Sequence, residues 1–185
     1  MILPIVAYGD PVLKKEAEEI EQDYPNLQEL IDNMFETMYN AEGVGLAAPQ
    51  IGKSIRLFIV DASPFEEDEP ALKGFKKTFI NPIIVEETGK DWAFNEGCLS
   101  IPGIREDVNR QPKVTIEYYD RDFNLIEETF DGLAARVIQH EYDHVDGILF
   151  TDHINPLKRR LLNSRLNNIS KGNVKVSYRM KFPKK

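Results

Sequence analysis

Cysteine occurs once in these 185 residues, tryptophan once and histidine three times. With one cysteine, Cys98, an internal disulfide is excluded, which fits a reducing compartment. Long apolar runs are also missing: nothing approaches the ~20 residues that a membrane helix requires. Residues 1–11 carry no basic region and no extended apolar stretch, so no signal or transit peptide is expected and the chain is placed in the cytoplasm, away from membranes. Acid is absent from the C-terminal region. All 31 Asp and Glu lie at or before Asp152, together with 13 Lys and Arg, whereas ten Lys and Arg follow with no acidic residue among them. The split describes an acidic body with a basic arm that suits an anionic partner, and nothing in it points to DNA.

What is present is enough for one core. A hydrophobic fraction of 42% over this length predicts a single domain spanning residues 1–185. The chain is organised around His140-Glu141-Tyr142-Asp143-His144. Histidines four apart on a helix share one face and can hold one metal ion together, and the glutamate beside the first can act as base on a water there. A catalytic site of this kind needs a third protein ligand and an open position, and Cys98 is the obvious third.

Taken in order, Leu27, Leu30, Ile31, Met34, Phe35 and Met38 recur at helical spacing, predicting an amphipathic helix over residues 25–41 whose apolar stripe is core. Gly43, Gly45 and Ala48 match a dinucleotide-binding fingerprint only superficially, because a helix precedes them and Pro49 and a strand over 55–61 follow. Small residues ahead of Gln50 instead suit a loop closely approaching a ligand, with the amide as donor. Residues 63–74 read as a polar surface loop, and 78–85 as a strand in which Pro82 marks an edge or a bulge. Residues 113–120 and 124–130 alternate as an antiparallel hairpin through Arg121 and Asp122. Asp131 is placed to cap the following helix, on which Leu133, Arg136, Val137, His140 and His144 share a face. The Arg136 stem is expected along a pocket rim, its guanidinium reaching solvent or an acid. Asn155 and Pro156 open a third helix with Leu157, Leu161, Leu162, Leu166 and Ile169 as its apolar side, and residues 174–182 alternate as a strand.

Three motifs therefore stand in order: GVGLAAPQ over 43–50, EGCLS over 96–100 and HEYDH over 140–144. Together they resemble the bacterial peptide deformylases, whose signatures are GxGLAAxQ, EGCLS and HExxH, with no departure at any signature position. The resemblance implies an α+β fold of mostly antiparallel strands around a central metal-binding HExxH helix, with an N-terminal helix, a C-terminal helix and a C-terminal strand. It implies Cys98, His140 and His144 as metal ligands, Fe2+ as the physiological ion with Zn2+, Ni2+ or Co2+ able to substitute, and Glu141 as the base. The Gln50 amide and the Leu99 backbone N–H become donors to the oxyanion formed when water attacks the formyl carbon of an N-formylmethionyl peptide. Val44, Gly45, Glu96, Gly97 and Arg105 become substrate-lining or supporting positions, beside Leu133, Arg136 and Val137 from the helix face. The resemblance also offers the ribosome as the anionic partner of the basic C-terminal helix.

Two other chemistries use some of the same residues. A thiol amidohydrolase with Cys98 as nucleophile explains the cysteine but leaves the HExxH spacing idle. A metal-stabilised binding module needs a fourth protein ligand, and His153 is the one remaining His or Cys.

Overall fold

The structure is a computed structural model that describes residues 1–183. Its main layer is a five-stranded antiparallel sheet, ordered β2 (Gly45–Ala47), β3 (Leu57–Asp61), β4 (Lys76–Thr88), β7 (Lys113–Tyr119) and β8 (Leu125–Asp131). Strands β5 (Trp92–Cys98) and β6 (Ile101–Arg110) form a separate hairpin, and β1 (Ile5–Val6) pairs in parallel with β9 (Met180–Lys181). Three α-helices complete the chain: α1 (Leu27–Asn40), α2 (Gly132–Val145) and α3 (Pro156–Ser170).

Why β3 is apolar from Leu57 to Val60 follows from its place. Side chains alternate across a strand. Leu57 and Ile59 join α1 residues Leu30, Ile31 and Met34 in one cluster, whereas Phe58 and Val60 join α2 residues Ala135, Val137 and Ile138 in another. The sheet is thus covered by α1 on one face and α2 on the other. A third cluster packs Leu162, Leu166 and Ile169 of α3 against Ile104 and Val108 of β6. Burial of each large side chain in these clusters contributes roughly 1.5–3 kcal/mol.

Several expectations are met and others corrected. The hairpin of β7 and β8 has the expected antiparallel pairing, Tyr119 opposite Leu125. Pro82 sits at a bulge and not at an edge: the β4 register shifts between Ile80 and Ile83, Asn81 takes φ +50°, and β4 is the middle strand. The Asn81 side chain closes the bulge by accepting from Ile20 N at 2.9 Å and donating to Ile20 O at 2.8 Å. The segment 43–50 is not simply a loop, since Gly45–Ala47 pairs with β3 and Ala48–Ile51 forms a 3-10 turn. Asp131 makes no side-chain cap on α2; the Glu69 carboxylate accepts from Leu133 N at 3.1 Å instead, from a 63–74 segment that itself contains two 3-10 turns. Asn155 caps α3 as expected, accepting from Leu157 N at 2.8 Å. On α3, however, Leu157 and Leu161 are 66% and 76% exposed, because only the Leu162, Leu166 and Ile169 side meets β6. The C-terminal strand is limited to Met180–Lys181.

Candidate metal centre and substrate cavity

Helix α2 runs from the sheet toward the β5–β6 hairpin, and the last residue of β5 is Cys98. One ligating atom from each of Cys98, His140 and His144 lies within 4.8 Å of the others, so the three could hold a metal ion. Cys98 Sγ is 3.5 Å from His144 Nε2, and the two imidazole centroids are 5.2 Å apart. A soft thiolate with two imidazoles is a donor set that suits Zn2+ and neighbouring divalent ions. His153 is not part of this group; its Nε2 is 2.8 Å from Asp143 Oδ2, so the fourth ligand of a closed site is missing among the described residues.

Around these three side chains lies a buried charge network. Glu96 Oε1 is 2.9 Å from His140 Nδ1, and the Glu96 carboxylate accepts from Arg110 Nε and Nη2 at 2.7 and 3.0 Å and from Arg136 Nη1 at 3.0 Å. Engaging Nδ1 turns Nε2 of His140 toward the site, the usual way a metal-binding imidazole is oriented. Burial alone would raise the Glu96 pKa, but hydrogen bonds from His140 and Arg110 outweigh it and hold the group well below the usual carboxylate range. Burial likewise disfavours a charged His140, yet hydrogen bonds to Cys98 and Glu96 prevail and push its pKa up to about 10. Neighbouring His144 is driven down by burial and by the His140 charge. Arg136 is 2% exposed, and its guanidinium also donates to Val108 O at 2.7 Å and Trp92 O at 2.6 Å. Of the two destinations expected for its guanidinium, solvent and an acid, it takes the acid. It is a buried partner of Glu96, stacked over the Trp92 ring at 4.6 Å.

Strand β2 brings the glycine segment to the other side of the ligands. A Cβ at Gly45 would meet Glu141 Oε1 at 2.7 Å, so this strand can pass Glu141 only as glycine. Glu141 is buried, which pushes its carboxyl up to about 7, and its Oε2 has no hydrogen-bond partner among the described residues. Gln50 Oε1 accepts from Ala47 N at 3.0 Å, which fixes the amide with Nε2 outward. That nitrogen donates to Cys98 Sγ at 3.4 Å and to Ser100 Oγ at 3.2 Å.

Gly45, Gln50, Glu96, Cys98, Arg136, His140 and Glu141 line a cavity of about 620 Å³, which the buried His144 does not reach. Of the expected residues, Val44, Gly45 and Gln50 reach it from the glycine segment, and Glu96, Gly97, Cys98, Leu99 and Arg105 from the hairpin. Helix α2 contributes Arg136, Val137, His140 and Glu141. Leu133 does not line it. One turn further from the ligands, it packs instead on the cluster formed by α2 and the sheet. Sequence reasoning missed Ser100, Arg110 and Asp143, whose side chains serve Gln50, Glu96 and Arg110. It also missed the cavity wall formed by Lys175, Val176, Ser177 and Tyr178. Only the third motif's Asp143 and the second motif's Ser100 stood close to a signal that could have drawn attention to them.

The family model described as Polypeptide deformylase matches residues 2–160. The peptide deformylase of Christiangramia forsetii is 61% identical over 190 aligned residues, covering 99% of this chain and 97% of that protein. The one from Flavobacterium johnsoniae is 62% identical, covering 98% and 96% respectively. The crystal structure of a peptide deformylase from Legionella pneumophila superposes with a TM-score of 0.82 at 41% identity, covering 94% of this chain and 98% of that one. Matched over nearly its whole length by sequence and by fold, the chain belongs to the polypeptide deformylase family, hydrolases that remove the N-formyl group from nascent peptides.

Proposed function

We propose that Cys98, His140 and His144 bind one divalent ion, physiologically Fe2+, and that Glu141 and two fixed donors use this centre to deformylate N-formylmethionyl peptides. The observation that carries the reading is the meeting of three ligating atoms within 4.8 Å at a cavity that also holds the unpartnered Glu141 carboxylate oxygen. A bound divalent ion supplies Lewis-acid polarisation and brings the pKa of water toward ~7. Glu141 takes the proton of the attacking water and returns it to the departing amine, so the products are formate and a free methionyl amino terminus. The Gln50 amide and the Leu99 N–H donate to the developing oxyanion, each such donor being worth ~3 kcal/mol. Gly45 and Glu141 narrow the formyl site, and Val137, Ile101 and Ile104 offer the methionine side chain an apolar wall. Because one methylene in such a wall is worth only ~1–3 kcal/mol, methionine is preferred without absolute selection.

The whole chain acts as one catalytic domain, supported by core clusters that draw on residues from Ile5 to Ile169. The absence of any helix long and apolar enough to cross a membrane, among the described residues, is compatible with work in the cytoplasm. There the basic α3 surface would meet the ribosome, the source of the substrate. The iron assignment rests on the family resemblance, since by donor chemistry alone the site binds Zn2+, Ni2+ and Co2+ more tightly than Fe2+.

The test is formate release from formyl-Met-Ala by protein purified without oxygen and reconstituted with Fe2+. Turnover should be lost after chelation and in Glu141→Ala. Activity that survives chelation but not thiol alkylation would replace this reading with a Cys98 nucleophile.

A further inference from the structure

The turn that joins β5 to β6 is only two residues long, Leu99 and Ser100, and the hairpin register slips beside it, with Cys98 opposite Ile101 and Gly97 opposite Arg105. Its peptide groups are therefore not held by a regular ladder. The Ser100 and Leu99 carbonyls are held from outside by two different parts of the chain, and the Cys98 and Ser100 side chains by a third. Gln50 donates to Cys98 Sγ and Ser100 Oγ, Tyr8 N donates to Ser100 O at 2.9 Å, and Tyr178 Oη donates to Leu99 O at 2.7 Å.

The last of these contacts comes from a segment beyond the residues 2–160 that the family model matches. Residues 175–178 form a wall of the substrate cavity, and the segment is fixed immediately afterwards where β9 pairs with β1: Ile5 N donates to Arg179 O at 3.0 Å and Ala7 N to Lys181 O at 2.9 Å. The Tyr178 ring packs with the cluster under α1, so its hydroxyl is delivered to Leu99 by a seated aromatic and not by a free side chain.

We propose that Tyr178 is a positioning residue for deformylation, its hydroxyl fixing the Leu99 carbonyl and thereby aiming the Leu99 N–H at the oxyanion. The residue has one N–H and one carbonyl separated by two soft torsions. Cys98 anchors the peptide plane that bears the N–H, and Tyr178 anchors the plane that bears the carbonyl, so the donor lies between two fixed points. Without the hydroxyl, the Leu99 carbonyl loses its partner and the Leu99–Ser100 peptide is restrained only at its Ser100 end, by Tyr8 N and Gln50. A donor helps the transition state only when it is already aimed, so the loss falls on turnover more than on binding.

This inference rests on reading the Leu99 N–H as an oxyanion donor, and the experiment separates the two. Tyr178→Phe keeps the ring and removes the hydroxyl; it is compared with wild type and Gln50→Ala as Co2+-loaded proteins. The expected result for Tyr178→Phe is a kcat lower by about tenfold with KM within about twofold, an unchanged cobalt–thiolate spectrum and melting temperature, and faster hydrogen exchange at the Leu99 amide. An unchanged kcat and Leu99 exchange, beside a Gln50→Ala variant that loses turnover, overturns the role of Tyr178 and leaves the oxyanion reading standing. Retained turnover in both variants overturns the donor reading and this inference with it. A raised KM at constant kcat makes Tyr178 a substrate contact and also overturns the inference.

Discussion

An alanine at position 45 would place its Cβ 2.7 Å from Glu141 Oε1 and 2.8 Å from Glu141 Cγ, closer than Cβ atoms in folded proteins approach other atoms. Glu141 is 4% exposed and cannot swing into solvent to make room. Either the carboxylate or strand β2 must move, and a displacement of ~1 Å at a catalytic base can cost ~10²-fold in turnover. Gly45→Ala is therefore expected to lower kcat by about that factor while metal content, measured by elemental analysis, stays at the wild-type level, because neither Gly45 nor Glu141 is among the three candidate ligands. A kcat near that of wild type would show that the close approach is slack. At this scale the sequence was informative wherever one residue type does one job. Cys98, His140, Glu141 and His144 were legible from spacing and scarcity, and Gln50 from the small residues ahead of it. Arg110 was not, because an arginine that neutralises a buried glutamate looks in sequence like any surface arginine.

At the scale of elements, α1, α2, β7 and β8 were legible from their period, and α3 from its Asn155–Pro156 start, although Leu157 and Leu161 of its apolar set face solvent. The β5–β6 hairpin was invisible for a physical reason. Two of its inward positions are Glu96 and Arg110, which satisfy one another, and Gly97, Pro102 and Gly103 interrupt the rest, so no apolar alternation remains. Asp152 shows how elements are tied without a periodic signal. It pairs with Lys14 from the 3-10 turn Pro11–Lys14, with Arg159 of α3 at 2.7 Å, and accepts from Leu149 N at 2.9 Å. Burial works against its charge, but these partners prevail and lower its pKa. A carboxylate depressed in the folded state contributes stability above its unfolded pKa of ~3.9, and that contribution is lost as the pH falls through the lower folded value. Asp152→Asn should therefore melt below wild type at neutral pH, with the gap closing as the pH is brought below about 4. Thermal melts over a pH series give the answer, and a gap that persists unchanged into acid would assign the stabilisation to shape and not to charge.

Across the whole molecule the charges are sorted along the chain, acidic up to Asp152 and basic beyond it. The fold turns this into a directional surface. The outward side of α3 presents Leu157 and Leu161, 66% and 76% exposed, next to exposed Arg160, whereas Arg159 is committed to Asp152 and Lys158 reaches Glu106 at 4.0 Å. Replacing Lys158, Arg159 and Arg160 together with glutamate would thus break an internal ion pair as well as a docking surface. The cleaner variant combines Leu157→Ser, Arg160→Glu and Leu161→Ser, none of which touches the ties that hold α3. If the proposed ribosomal contact uses this face, wild type should co-sediment with ribosomes at low salt and release as salt rises, because contacts to phosphate exchange bound counterions. The triple variant should fail to sediment while releasing formate from formyl-Met-Ala at the wild-type rate, since the substituted positions do not line the substrate cavity. Co-sedimentation that survives the triple substitution would move the contact off α3. The acidic body would be repelled by a phosphate-rich surface, so the partner would then be met through other basic residues of the C-terminal region, among them Lys175 in the cavity wall and Arg179 next to Tyr178.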